Sequence, residues 1–161
     1  LAHDQVAAVA LGSNLGDRRA HLDFAVSQLR PLLAGLKVSR YYETTPVDVP
    51  HPQSMFLNAA VTGATVLTAR GLLGALLAIE HARNRRRPYV NAPRTLDLDL
   101  VLFGDVVIDE PDLQVPHPRF RERRFVLEPL AEIGPDLSDP VTGRTVAELF
   151  ERIRKEGMVH E

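Results

Sequence analysis

Cysteine is absent from the 161 residues, so the chain can form neither a disulfide nor a thiolate metal site. Any ion it holds must sit on oxygen or imidazole. The same absence fits a reducing compartment. Tryptophan is absent too, and aromatic residues make up only 6%, which argues against a surface built to stack many bases. No apolar run approaches the ~20 residues of a membrane-spanning helix. Residues Leu1 to Val6 lack the charged-then-apolar layout of a signal peptide, and the expectation is a cytoplasmic protein. No Gly-x-x-x-x-Gly-Lys-Ser/Thr stretch occurs, which excludes a P-loop as a phosphate cradle. Strong net charge is lacking as well: at −2 the molecule as a whole is no polyanion binder.

What is present is a globular composition, 45% hydrophobic and 25% charged, at a length that favours a single domain over residues 1–161. The arginines are unevenly placed. Arg83, Arg85, Arg86, Arg87 and Arg94 fall in one stretch, and Arg119, Arg121, Arg123 and Arg124 in another. Local basic clusters on a mildly acidic chain point to a focused anion site.

The apolar run from Val6 to Leu11 reads as a buried strand that stops at Gly12. Leu22, Ala25, Val26 and Leu29 recur at helical spacing, and Pro31 ends that helix near Arg30. Leu36 to Glu43 and Phe56 to Ala64 alternate as strands, separated by a proline-rich loop. Thr68 caps a second helix carrying Leu72, Leu73, Leu76, Leu77 and Ile79. Leu96 to Phe103 reads as a fourth strand, and Gly104-Asp105 as a tight turn. Arg119 to Pro129 reads as a short helix followed by a strand. Thr145 caps a terminal helix with Glu148 at the capping-box position. The order strand, helix, strand, strand, helix, strand predicts an α+β fold, a ferredoxin-like βαββαβ antiparallel sheet with an additional C-terminal strand and helix.

The segment Thr95-Leu96-Asp97-Leu98-Asp99-Leu100-Val101-Leu102 carries the most chemistry. Residues two apart on a strand share a face, so Leu98, Leu100 and Leu102 are expected in the core, with Asp97 and Asp99 side by side opposite them. Carboxylates borne on Cα atoms about 6.6 Å apart repel unless a cation offsets the repulsion. Magnesium takes one or two carboxylates and completes its shell with water and phosphate oxygens. Two such ions clamp a transferring phosphoryl group. A half-solvated strand produces the same alternation with no metal at all. Arg94 and the arginines before it favour a polyphosphate site. Gly12-Ser13-Asn14-Leu15-Gly16 serves equally as a phosphate turn or as an ordinary strand-to-helix turn.

Taken together, four segments resemble the 6-hydroxymethyl-7,8-dihydropterin pyrophosphokinase family: Leu11 to Gly16, Phe56 to Val61, Pro93 to Val101, and Val115-Pro116-His117. They lie in family order over nearly the whole chain. The resemblance implies transfer of the β,γ-diphosphate of ATP to a pterin hydroxymethyl group, leaving AMP, in folate biosynthesis. It implies that Asp97 and Asp99 hold two Mg²⁺ ions, and that Arg85 and Arg94 act on the transferring phosphates. It places Glu80, Leu100, His117 and Arg123 on the ATP side. Thr44, Val47, Phe56, Asn58 and Phe125 fall on the pterin side. Phe56 and Phe125 serve as well for ordinary core packing, and His117 for a surface loop. The partners implied are these small molecules, with no nucleic acid and no membrane. A monomer is expected, associated in some relatives with other folate enzymes. The chain departs from the family pattern at Val90 and Asn91, where a basic residue and a tryptophan are usual, and at Pro118, where an aromatic is common. The rival readings are an RNA-binding module of the same fold, a scaffold domain whose aspartates are merely solvated, and a different metal-dependent phosphotransferase.

Overall fold

The computed structural model describes residues 4–44, 55–84 and 95–159. Strand β1 (Gln5–Ser13) is followed by helix α1 (Arg18–Leu29) and by two short strands, β2 (Ala34–Val38) and β3 (Tyr42–Thr44). Then come β4 (Phe56–Thr65), α2 (Ala69–Asn84) and β5 (Asp97–Phe103), a small hairpin of β6 (Ile108–Glu110) and β7 (Leu113–Val115), and helices α3 (Arg124–Ile133) and α4 (Val146–Val159). The main sheet runs β2–β4–β1–β5 with every neighbouring pair antiparallel, and β3 also pairs with β4. Among the described residues no helix is long and apolar enough to cross a membrane.

The helix starts lie where the capping residues put them. Asp17 accepts a hydrogen bond from the Ala20 amide at 3.1 Å, and Thr68 accepts one from the Gly71 amide at 3.0 Å. Thr145 and Glu148 close a reciprocal capping box at 3.2 and 2.9 Å.

Two cores form on the two faces of the sheet. Leu22, Ala25 and Leu29 of α1 and Leu72, Leu76 and Ile79 of α2 pack on one face against Val9, Leu11, Leu57, Val61, Leu98 and Leu100. Val126, Leu127 and Leu130 of α3 and Leu149 of α4 pack on the other face against Ala8, Ala10, Ala60, Val101 and Leu102. The central strand contributes the small residues Ala8 and Ala10 to this second core.

Three expectations change. Leu102 does not share a face with Leu98 and Leu100. β5 bulges between the pairs Val9↔Leu100 and Ala8↔Leu102, and the extra residue, Val101, reverses the alternation. The strand expected over 36–43 is interrupted at Ser39. Its amide donates to the Ala60 carbonyl at 2.9 Å and its hydroxyl accepts from the Ala60 amide at 2.9 Å. A side chain thus does the work of a strand carbonyl, and the chain turns between β2 and β3. The additional C-terminal strand expected before Pro129 is instead part of α3, with Pro129 inside the helix. Val126, Leu127 and Leu130 fall on one side of that helix and are buried by it.

Candidate active site

Residues in register across neighbouring strands share a face, and two lanes of them cross the sheet on the α3 side. The first runs Tyr42, Asn58, Gly12, Asp97, one residue from each of β3, β4, β1 and β5. The second runs Ala60, Ala10, Asp99. Asp97 and Asp99 are both half-buried, opposite the buried Leu98 and Leu100, as the alternation requires. Gly12 leaves the lane between Asn58 and Asp97 without a side chain. A Cβ there would approach the Asn58 amide nitrogen to 3.2 Å.

At the β4 end, Asn58 is buried and its amide oxygen accepts a hydrogen bond from the Thr44 hydroxyl. Thr44 is in register with Phe56, which is half-buried on the same face. Phe125, in the first turn of α3, is half-buried against the second core, and the Arg123 guanidinium lies 5.6 Å from its ring centroid. Tyr42 is tied to α3 by a hydrogen bond from its hydroxyl to the Glu132 carboxylate at 2.5 Å.

At the β5 end, His117 donates its backbone N–H to the Val101 carbonyl at 2.9 Å. Its Nδ1 accepts the Arg119 amide at 3.2 Å, so the neutral ring carries its proton on Nε2. Burial pushes the imidazole below the usual histidine range. The charge of Asp99 opposes that shift, and Arg123 and Arg119 add to it. One carboxylate and two guanidiniums therefore surround a single imidazole.

The second arginine cluster divides. Arg123 and Arg119 act on His117, whereas Arg121 is bound to the buried Asp139 and Arg124 pairs with Glu128. Of the first cluster, Arg83 donates to His21 Nδ1 at 2.8 Å and lies over the Phe24 ring. Arg85, Arg94 and Val47, all expected at the site, lie outside the described residues.

Glu80 is buried on α2, and its carboxylate accepts the Leu98 amide at 2.6 Å. Leu100 is buried in the first core. Sequence reasoning missed Asn84, also buried, which binds both the Leu96 carbonyl and the Leu96 amide, at 2.8 and 3.1 Å. It missed Tyr42 and Glu132 as well. A polar residue ending an amphipathic helix and one exposed acid on α3 carried no signal of the strand edges they would meet.

These features define an α+β protein with one candidate site on a sheet face: carboxylates, an imidazole and guanidiniums toward one end, an amide and aromatic rings toward the other. The family model of 7,8-dihydro-6-hydroxymethylpterin-pyrophosphokinase matches residues 8–135. The chain belongs to that family. It is 41% identical over 150 residues to the 2-amino-4-hydroxy-6-hydroxymethyldihydropteridine pyrophosphokinase of Synechocystis, covering 91% of this chain and 75% of the relative. It is 41% identical over 152 residues to the Pseudomonas aeruginosa protein of the same name, covering 93% of each. The crystal structure of Plasmodium falciparum HPPK-DHPS superposes with a TM-score of 0.74 at 16% identity, over 93% of this chain and 45% of that one, a likeness of fold.

Proposed function

We propose that this chain transfers the diphosphate of ATP to the hydroxymethyl oxygen of 6-hydroxymethyl-7,8-dihydropterin, giving AMP and the pterin diphosphate, as a step of folate biosynthesis. The observation that carries the reading is the lane Asn58–Gly12–Asp97, which joins an amide suited to a heterocycle edge to a carboxylate suited to phosphate chemistry with no side chain between them. The match to the family over residues 8–135 supports it.

On this reading Phe56 and Phe125 flank the flat ring, and the Asn58 amide, which donates and accepts at once, reads its edge. Thr44 shares that role through its bond to Asn58, and Val47 belongs with it. Asp97 and Asp99 fit divalent magnesium as a donor set. They are two oxygen ligands on one face, and among the described residues no third His, Cys, Asp or Glu joins them in a metal-binding group. Such a pair suits an ion that shares its shell with phosphate oxygens and water. Bound Mg²⁺, two ions in the proposal, supplies charge neutralisation on the triphosphate.

The pterin hydroxyl oxygen attacks the β-phosphorus, the bond from that phosphorus to the α,β-bridging oxygen breaks, and AMP leaves. The hydroxyl proton passes to Asp97. His117, with its Nε2 proton, and Arg123 hold phosphate oxygens, as do Arg85 and Arg94. Glu80 fixes the strand behind the nucleotide, and the backbone of Leu100 faces it. Positioning and charge neutralisation do most of the work, as expected for phosphoryl transfer. The strand order β2–β4–β1–β5 supports a ferredoxin-like sheet, and we take residues 1–161 as one such domain, monomeric and cytoplasmic.

The test is an assay that separates nucleotides. ATP, 6-hydroxymethyl-7,8-dihydropterin and Mg²⁺ should yield AMP in step with pterin diphosphate, and no product once the metal is chelated. ADP as the nucleotide product would overturn the assignment of attack to the β-phosphorus.

A further inference from the structure

Strand β3 has only three residues and, among the described residues, pairs only with β4. So short a strand does not hold its register unaided. Two of its residues face the site: Tyr42 lies beside Asn58, and Thr44 lies beside Phe56. Both are anchored on that face, Tyr42 to Glu132 and Thr44 to Asn58. Glu43, between them, points to the opposite face, and there it meets Arg18.

The Arg18 side chain rises from the first residue of α1 and spans two strands. One guanidinium nitrogen donates to the Glu43 carboxylate at 2.8 Å, and the other donates to the Met55 carbonyl at 2.6 Å. Glu43 precedes Thr44, and Met55 precedes Phe56. A single guanidinium therefore ties the residue next to Thr44 to the residue next to Phe56, from the side of the sheet away from the ligand. The Arg18 side chain is 26% exposed and that of Glu43 55%. Ion pairs this exposed contribute little to global stability. The fixed fork of an arginine nonetheless sets geometry in a way that a point charge does not.

Building on the pterin site proposed above, we propose that Arg18 is a positioning residue for the pterin half of the reaction, holding Thr44 and Phe56 at the spacing that grips the ring. It touches neither substrate. Its influence passes through Glu43 and the Met55 carbonyl to the two ends of β3 and β4, and it is separate from the phosphate end at Asp97 and Asp99.

Steady-state kinetics of Arg18→Ala, Arg18→Lys and Glu43→Ala, alongside thermal unfolding, test this. Arg18→Ala should raise the KM for the pterin about tenfold, with the KM for ATP and kcat near wild type and the unfolding midpoint little changed. Arg18→Lys should recover part of the loss, since an ammonium reaches one acceptor at a time. Arg18→Ala combined with Glu43→Ala should be no worse than Arg18→Ala alone, as expected of two groups acting through one contact. A pterin KM within twofold of wild type would overturn the proposal. So would a parallel rise of both KM values together with a fall in the midpoint, which marks general loosening. Failure of the wild-type protein to use the pterin at all would sink the functional reading itself, and it is read before any variant is compared.

Discussion

The Glu80 carboxylate accepts the backbone N–H of Leu98, the residue between Asp97 and Asp99, at 2.6 Å. β5 is the edge of the sheet, and its outward amides and carbonyls would otherwise face solvent or a second strand. Three groups cover that edge. Asn84 binds Leu96, Glu80 binds Leu98, and the His117 amide binds the Val101 carbonyl. The strand that presents the paired carboxylates is therefore pinned along its free side. Glu80→Ala strands a buried amide and should cost about 2 kcal/mol of stability. Glu80→Gln keeps an acceptor and should cost less than half of that. Chemical denaturation of the two variants measures the difference.

Asp97→Asn and Asp99→Asn should each lower kcat by about a thousandfold or more, with the thermal midpoint within a few degrees of wild type. Both side chains stand on the half-buried face of a strand whose core side is formed by Leu98 and Leu100. Loss of their charge should therefore leave that core side packed. Product assays paired with thermal unfolding check it; loss of fold with loss of rate would contradict the assigned role.

Asp139 gives a pH-dependent stability unconnected with the site. It is fully buried and meets the Arg121 guanidinium, the Thr142 hydroxyl and the Val141 amide. Burial alone would raise its pKa, but these bonds outweigh it and hold the carboxyl at about 2. The folded state thus favours the carboxylate more than the unfolded chain does. The stabilisation is complete above the ordinary aspartate range and is lost as pH falls from about 4 through about 2. Urea midpoints measured across that window should fall with pH in wild type and fall less steeply in Asp139→Asn, where other low-lying carboxyls such as Glu132 still contribute. That variant should be less stable than wild type at neutral pH by about 2 kcal/mol, because Arg121 loses its partner.

Local signals in the sequence read true where a short-range rule decides the outcome. Thr68 and the Thr145–Glu148 pair mark helix starts because capping needs only the next turn of chain. The alternation of Asp97 and Asp99 against Leu98 and Leu100 is legible for the same reason. The bulge at Val101 is not, since it arises from pairing with Ala8 and Val9, which lie far away in the sequence on another strand. Phe125-Val126-Leu127 reads as strand, yet a short apolar run carries no period that separates strand from helix, and the packing of α3 over the second core decides for helix despite Pro129. The composite site is legible as a set of motifs, but the lane joining Asn58 to Asp97 becomes visible only once β1 is known to lie between their strands.

Gly12 is an unfavourable choice for the middle strand of a sheet, because it offers neighbours nothing to pack against and loses the most freedom on folding. Pairing on both flanks, to Asn58 and to Asp97, makes the choice tolerable there. A valine at the same position would press on the Asn58 amide and raise a partition across the sheet floor. Each compartment could then admit its own guest, and the two guests would never touch.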